Sequence, residues 1–427
     1  MFGSSRRGFL AAGAALPAGA ALARVPEDQA ARVAADLARY IGFGIKHAGG
    51  PGDTACGAWL TSEIEALGFK VEQQPVSVPY FTPERAELRC GEARAAIWPQ
   101  PIVVTTGPEG VTGPLVRVDG AGRATGPLAG AIALLELPHA RWSTAMARPV
   151  REPVAAAFAA GARAVVVITH GPTGKVIALN ADGRKPMFAG PVALLAPGDA
   201  GPFLAAAITG APATLTVTGE NGRRPASNFI GRLDRGKSRW LAVSTPRSGW
   251  TVCAGERGGG IAAWLWMARW ASKAVTTHNL AFICNTGHEY ENLGAAEALK
   301  ATAPRPADTH FWLHLGANVA SQDWHDLTGQ VLPGVDTQRF LSVSPALLPL
   351  ARKTFAGLPG LEAPYSSDAL SAGEQIEILA AGYPRVAAVF GLHRYHHVLG
   401  DDARCVSAAH VARAAKAFQA LVTRAIA

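Results

Sequence analysis

The 427-residue sequence predicts an α/β chain: a three-layer, mostly parallel sheet interrupted by a β-rich insertion. Three observations predict it. Residues 225–427 alternate apolar runs of strand length with amphipathic helical runs, the rhythm of a parallel sheet covered by helices on both faces. Residues 24–82 open with two helical repeats and one alternating run. Between them, residues 83–224 lose that rhythm and become short Val, Leu and Ile runs cut by Gly and Pro.

The elements follow in order. "SSRRGFLAAGAALPAGAALA" places Arg6 and Arg7 before an uncharged run ending in Ala21-Leu22-Ala23. That pattern predicts a twin-arginine export signal cleaved after Ala23, and a periplasmic or secreted protein. The run is too short and too rich in Ala and Gly for a spanning anchor. No later segment has the composition of a membrane span.

"PEDQAARVAADLARYIGFG" and "DTACGAWLTSEIEALGF" repeat apolar residues at helical spacing, and "KVEQQPVSV" alternates as a strand does. In the insertion, "GPLVRV", "GAIALLEL", "ARAVVVIT", "GPVALLA" and "ATLTVTG" predict strands, with one helix at "VREPVAAAFAAGA". From "SNFIGRL" onward, the strands "WLAVST", "LAFICNT", "THFWLHL" and "VAAVFGL" alternate with helices such as "GIAAWLWMARWASK" and "VSAAHVARAAKAFQALVTRA".

Composition excludes one partner class. The net charge is +8, or +6 once residues 1–23 are removed, and the positive charge is scattered rather than gathered in runs. A nucleic-acid footprint is therefore absent, and a small-molecule or peptide-like substrate is expected. Five cysteines lack any CxxC spacing, so an oxidising compartment permits a disulfide but leaves at least one thiol unpaired.

Ligands of such sheets bind beyond the C-terminal strand ends. Four junctions there carry chemistry. The first, "STPRSGWTVCAGERGGG", holds Thr245, Arg247, Ser248, Cys253, Glu256 and Arg257. The second, "CNTGHEYENLG", holds His288 and Glu289; the third sets His314 in an apolar strand; the fourth, "GLHRYHHVLGDD", holds His393, His396, His397, Asp401 and Asp402. Imidazole and carboxylate donors suit zinc, which in catalytic sites takes three protein ligands and a water.

These motifs resemble the zinc aminopeptidase family that also contains the glutaminyl cyclases and the transferrin-receptor-like peptidases. That family has a His-x-Asp loop, an Asp-Asn-x-x-Gly helix opening, a Glu-Glu pair, a further Asp and a late His often preceded by Tyr. "GERGGGIAAWLWMAR", "TGHEYENLGAAEAL" and "RYHHVLGDD" resemble three of these, and the insertion resembles a protease-associated domain in "LAGAIALLEL", "AAGARAVVVI" and "SNFIGRL".

The resemblance implies domains of 24–82 with 225–427 (catalytic) and 83–224 (inserted). It implies that Glu256, Glu289 and His397 (or His396) hold one zinc ion. The other metal position is eroded: Thr245-Pro246-Arg247 replaces the His-x-Asp loop, and the further Asp falls at or beside His314. A guanidinium there repels a second cation. His288 replaces the general base and can still carry a proton.

The expectation is an exported hydrolase of an amide or ester bond in a small peptide-like molecule. Zinc polarises the carbonyl or a water, His288 moves the proton, and Arg247 clamps a carboxylate or oxyanion. Two alternatives are a non-catalytic binding relative, and a metal-independent hydrolase using Ser248 or Cys253 with His288.

Overall fold

The computed structural model describes residues 25–427, so the export signal expected at residues 1–23 lies outside the described residues. The middle of the sheet is formed by Trp240–Pro246, an almost wholly buried strand paired in parallel with Asn279–Asn285 on one side and Thr309–Leu315 on the other. Thr309–Leu315 continues in parallel to Val386–Gly391. Antiparallel strands close both flanks: Arg339–Val343 beside Val386–Gly391, and Pro212–Leu233 beside Asn279–Asn285. The expected mostly parallel sheet is what forms, with Arg339–Val343 as an antiparallel addition.

The central strands are apolar on both faces because helices cover both. Glu27–Gly42, Gly259–Ala274 and Ala408–Ala425 bury Leu37, Trp264 and Phe418 against one face. Leu293–Ala301 and Glu374–Ala380 cover the other through Ala298 and Ile378. Gly260 permits the tight approach of one helix, since a Cβ there would sit 2.9 Å from the Gly316 carbonyl oxygen.

Two long strands, Lys70–Cys90 and Pro212–Leu233, pair antiparallel from Lys70↔Arg232 to Cys90↔Ala213, with a shift between Pro83 and Arg85. The positions 82/83 and 224/225 therefore fall inside a continuous ribbon rather than at loops. Beyond it, Val111–Val118, Ile132–Glu136, Ala164–Ile168 and Val192–Leu195 run parallel to one another. Their apolar side chains form two clusters, one around Leu134 and Phe203 and one around Leu135 and Val154. Segment 83–224 holds the expected helix, Arg148–Ala159, and a second, Gly201–Ile208.

Arg141 ties this segment to the rest: its guanidinium pairs with Asp326 and Asp336, both at 2.8 Å, and donates to the Leu392 carbonyl at 2.7 Å. The five cysteines are all buried with free thiols. Among the described residues, no helix is long and apolar enough to cross a membrane.

Candidate functional site

The loop after Trp240–Pro246 enters its helix through a π-type turn, Ala254–Gly258, a geometry that recurs at functional sites. Asp401 holds the turn by accepting from the backbone N–H groups of Gly255 (2.6 Å) and Glu256 (3.0 Å). Position 255 has room only for glycine, since a Cβ would lie 2.7 Å from His393 Cε1. The turn buries Glu256 and Arg257 side by side.

Arg257 Nε donates to the Ser248 carbonyl at 3.2 Å, and Nη2 lies 2.7 Å from Glu256 Oε1. Nη1 has no hydrogen-bond partner and keeps its protons for another acceptor. Burial would raise the Glu256 pKa, but the Arg257 charge, then His397, hold it well below the usual carboxylate range. Burial would likewise neutralise Arg257, and Glu256 keeps it charged.

A chamber of about 620 Å³ opens onto this guanidinium. His288, His314 and His396 line it, with Ser143, Thr144 and Asn180 contributed by segment 83–224. Burial, then Arg257, lowers the His288 pKa well below the ordinary imidazole value, so the ring is neutral and able to accept a proton. The Glu374 carboxyl group faces His288 Nδ1 at 3.5 Å, leaving Nε2 for a ligand or water.

His314 is also neutral, with burial lowering its pKa to about 4. Ser244 Oγ accepts from Trp312 Nε1 at 2.8 Å and shares a hydrogen bond with His314 Nδ1 at 2.9 Å, so that ring nitrogen is engaged by Ser244.

The remaining expected residues lie elsewhere. Arg247 is 2% exposed and serves packing: Nε pairs with Asp53 Oδ1 at 2.9 Å and Nη2 donates to the Ser227 carbonyl at 2.6 Å. It is not among the chamber-lining residues; Arg257, ten positions on, is. Glu289 turns away from Glu256, accepting from the Ala48 N–H at 2.8 Å and from Ser248 Oγ at 2.6 Å. Ser248 in turn accepts from the Gly287 N–H at 2.7 Å, so its hydroxyl is committed to Glu289 rather than to His288. Cys253 is fully buried, and burial, then Glu256, raises its thiol pKa well above the ordinary value. Neither Ser248 nor Cys253 has the exposed, base-paired geometry of a nucleophile.

Burial also lifts the Glu289 carboxyl to about 7, although Ser248 and Ala48 donate to it. A carboxyl whose folded pKa lies above its unfolded value stabilises the fold while protonated, and that contribution is lost as pH rises from the ordinary carboxylate range through the folded pKa. Relative to Glu289→Gln, the native chain should lose roughly 3 kcal/mol between about pH 5 and pH 8. Denaturant titrations of both proteins at the two pH values check this; parallel pH profiles would reject it.

Backbone strain gathers at the same place. Among the described residues, the non-glycine residues with positive φ are Cys253 (57°), Glu291 (49°), Asn292 (60°), Asn318 (52°) and His397 (59°). Glu291 and Asn292 line the chamber, the Asn318 N–H donates to the Glu256 carbonyl at 3.1 Å, and Cys253 leads into the π-type turn. Such conformations cost about 1–3 kcal/mol each and cluster at functional sites.

No protein-family model matches the sequence, and no curated protein matches it. Solved structures do. The zinc aminopeptidase of Bacillus subtilis superposes with a TM-score of 0.71 at 17% identity, over 94% of this chain and 96% of that one. The aminopeptidase of Aneurinibacillus sp. strain AM-1 gives 0.67 at 18% identity over 95% of each chain. The chain has the zinc aminopeptidase fold. A peptidase M28 precursor from Shewanella amazonensis shares it, at a TM-score of 0.70 and 15% identity over 93% and 94% of the two chains. These neighbours are of the family that the motifs resemble, and the α/β aminopeptidase-like sheet spans the two as one architecture.

An aminopeptidase fold raises the question of zinc. Glu256, His396 and His397 each offer a ligand atom within 4.8 Å of one another, and all three are buried. His397 Nδ1–H donates to the Ala178 carbonyl at 2.9 Å, which leaves Nε2 facing Glu256 Oε1 at 3.2 Å. Against these donors stands Arg257, on the same carboxylate oxygen. A divalent ion about 4 Å from a guanidinium costs roughly 8 kcal/mol in Coulomb repulsion at a protein-like dielectric. Zinc on these donors would have to displace the Arg257 contact with Glu256 Oε1. A second group, His393, Asp401 and Cys405, is closed by Asp401's backbone bonds and is not part of the chamber lining.

Two contributors escaped sequence reasoning. Glu374 opens the helix Glu374–Ala380 fully buried, accepting from Asn285 Nδ2 at 2.8 Å; its one signal was a carboxylate beside Gly373 ahead of an apolar helix. Arg257 was visible next to Glu256, but only the π-type turn shows it entering the chamber.

Proposed function

We propose that the chain is a metal-independent hydrolase of an amide or ester bond in a small peptide-like molecule. The observation that carries this is Arg257, a buried guanidinium paired with Glu256 through Nη2 and facing a chamber that also holds neutral His288. A carbonyl oxygen bound at Nη1 is polarised toward the oxyanion that forms when water attacks. His288 takes the proton of that water and returns it to the departing amine or alcohol. The guanidinium takes the charge-stabilising part assigned to zinc and to Arg247 from sequence, and water replaces Ser248 or Cys253 as nucleophile. Export to the periplasm or beyond is part of the same proposal, motivated by Arg6 and Arg7.

The test is metal analysis of the mature protein purified from its native host, with turnover of aminoacyl and N-acylaminoacyl anilides and aryl esters before and after chelation. Substoichiometric zinc and chelator-resistant turnover are expected, with His288→Ala lowering kcat by about 10²–10⁴. One zinc per chain with turnover lost on chelation overturns the proposal. Binding without turnover makes the chain a non-catalytic binding protein.

A second reading is favoured by the Glu256, His396 and His397 donors and by the His397 orientation. In it these residues hold one zinc ion after Arg257 swings aside, and the same metal analysis decides between the two.

A further inference from the structure

A second cavity, of about 230 Å³, lies where segment 83–224 meets the sheet domain. Its walls are rings. Trp98 stands edge-on to His47 and to Trp250 with centroids 6.3 and 6.2 Å apart, and Trp250 meets Tyr290 at 5.6 Å. Edge-to-face ring clusters of this kind favour a further aromatic ring as guest. An apolar cavity of about 150 Å³ suffices to bind benzene, so this one takes a ring with a short substituent.

One lining residue is a fixed cation. Arg224 stacks over the Tyr80 ring at 5.7 Å and anchors Nε on the Ala48 carbonyl at 2.8 Å. Among the described residues it has no carboxylate partner, and its Nη nitrogens make no hydrogen bond. His47 adds no second charge: its Nε2–H donates to the Trp250 carbonyl at 2.9 Å, and burial lowers its pKa. A single guanidinium beside an aromatic box matches a planar ring bearing one negative charge.

We propose that this cavity is a binding site for a small aromatic carboxylate, with the ring among Trp98, Trp250 and Tyr290 and the carboxylate on Arg224. The site is separate from the catalytic chamber. Trp250 Nε1 donates to Asn180 Oδ1 at 2.9 Å, and Asn180 lines the chamber while Trp250 lines this cavity. The proposal therefore stands whether or not the chamber hydrolyses anything.

The test uses phenylpropionate as probe, followed by ligand-observed saturation-transfer NMR and calorimetry on the full chain. Saturable binding is expected, weakened about tenfold or more in Arg224→Gln, a loss of about 1.4 kcal/mol. Phenylpropanol, which lacks the carboxylate, and cyclohexylpropionate, which lacks the aromatic ring, should both bind more weakly to the unaltered protein. Trp98→Leu, at a partly exposed position, should abolish saturation transfer, and His288→Ala in the chamber should leave binding unchanged. No saturable binding, equal binding of the three probes, or loss of binding in His288→Ala would overturn the proposal.

Discussion

Replacing Arg257 by methionine, which keeps much of the volume and removes the charge, is expected to destabilise the chain by about 3–5 kcal/mol. Glu256 is fully buried, and the Arg257 charge is the main influence holding it ionised against burial. Without the guanidinium an uncompensated carboxylate remains in the protein interior, and the fold must neutralise it or open.

Arg257→Ala should behave differently in one respect. It removes the repulsion and makes room beside Glu256, His396 and His397, the three donors that lie within 4.8 Å of one another. Zinc in large excess over its dissociation constant should then restore about 3 kcal/mol to Arg257→Ala while leaving the native chain unchanged. Denaturant unfolding with and without zinc reads both effects. Equal stabilisation of native and variant chains would show that Arg257 does not exclude the ion, and would sink the metal-independent account. Turnover in either variant should fall by about 10²–10³, as when an oxyanion donor is lost.

The second large effect concerns Arg247, at the place first expected to clamp substrate. Arg247→Met should cost about 3–5 kcal/mol without altering ligand affinity in the chamber. Asp53, its partner at 2.9 Å, would be left with its remaining oxygen accepting from Gly49 N–H and Thr286 Oγ1, both at 2.8 Å. The pair joins the helix Pro51–Glu65 to the loops after two central strands, so its loss loosens three segments together. Removing both charges in Arg247→Met with Asp53→Leu should recover much of the stability, because no unpaired ion is then buried. Unfolding free energies of the two single variants and the double variant close this cycle. A double variant as unstable as the sum of the singles would assign the cost to packing instead of charge.

The two arginines show where the sequence was legible and where it was not. Both stand in one loop and both follow small or polar residues, yet only Arg247 was expected to bind substrate or an oxyanion. Nothing local separates them. Arg247 points back toward Asp53, almost two hundred residues earlier in the chain, whereas Arg257 is turned into the chamber by a π-type turn held by Asp401, far later. Glu289 is a similar case: the strand-to-helix junction was visible, but its carboxylate finds Ser248 and the Ala48 N–H rather than Glu256. His396 and His397 were interchangeable in the sequence. Their stacked rings, with centroids 4.0 Å apart, and the carbonyl on His397 Nδ1 give them distinct surroundings.

By itself the sequence determined the α/β architecture, the strand-to-helix junctions at which chemistry collects, and the composition of the site in histidines, carboxylates and guanidinium groups. Periodicity encodes these, because a strand or helix declares its buried face within a few residues. Only the tertiary structure decided which charged groups share the chamber and which neutralise one another in the packing. A buried charge takes its partner from whichever distant segment the fold brings within about 3 Å, and no local pattern records that distance.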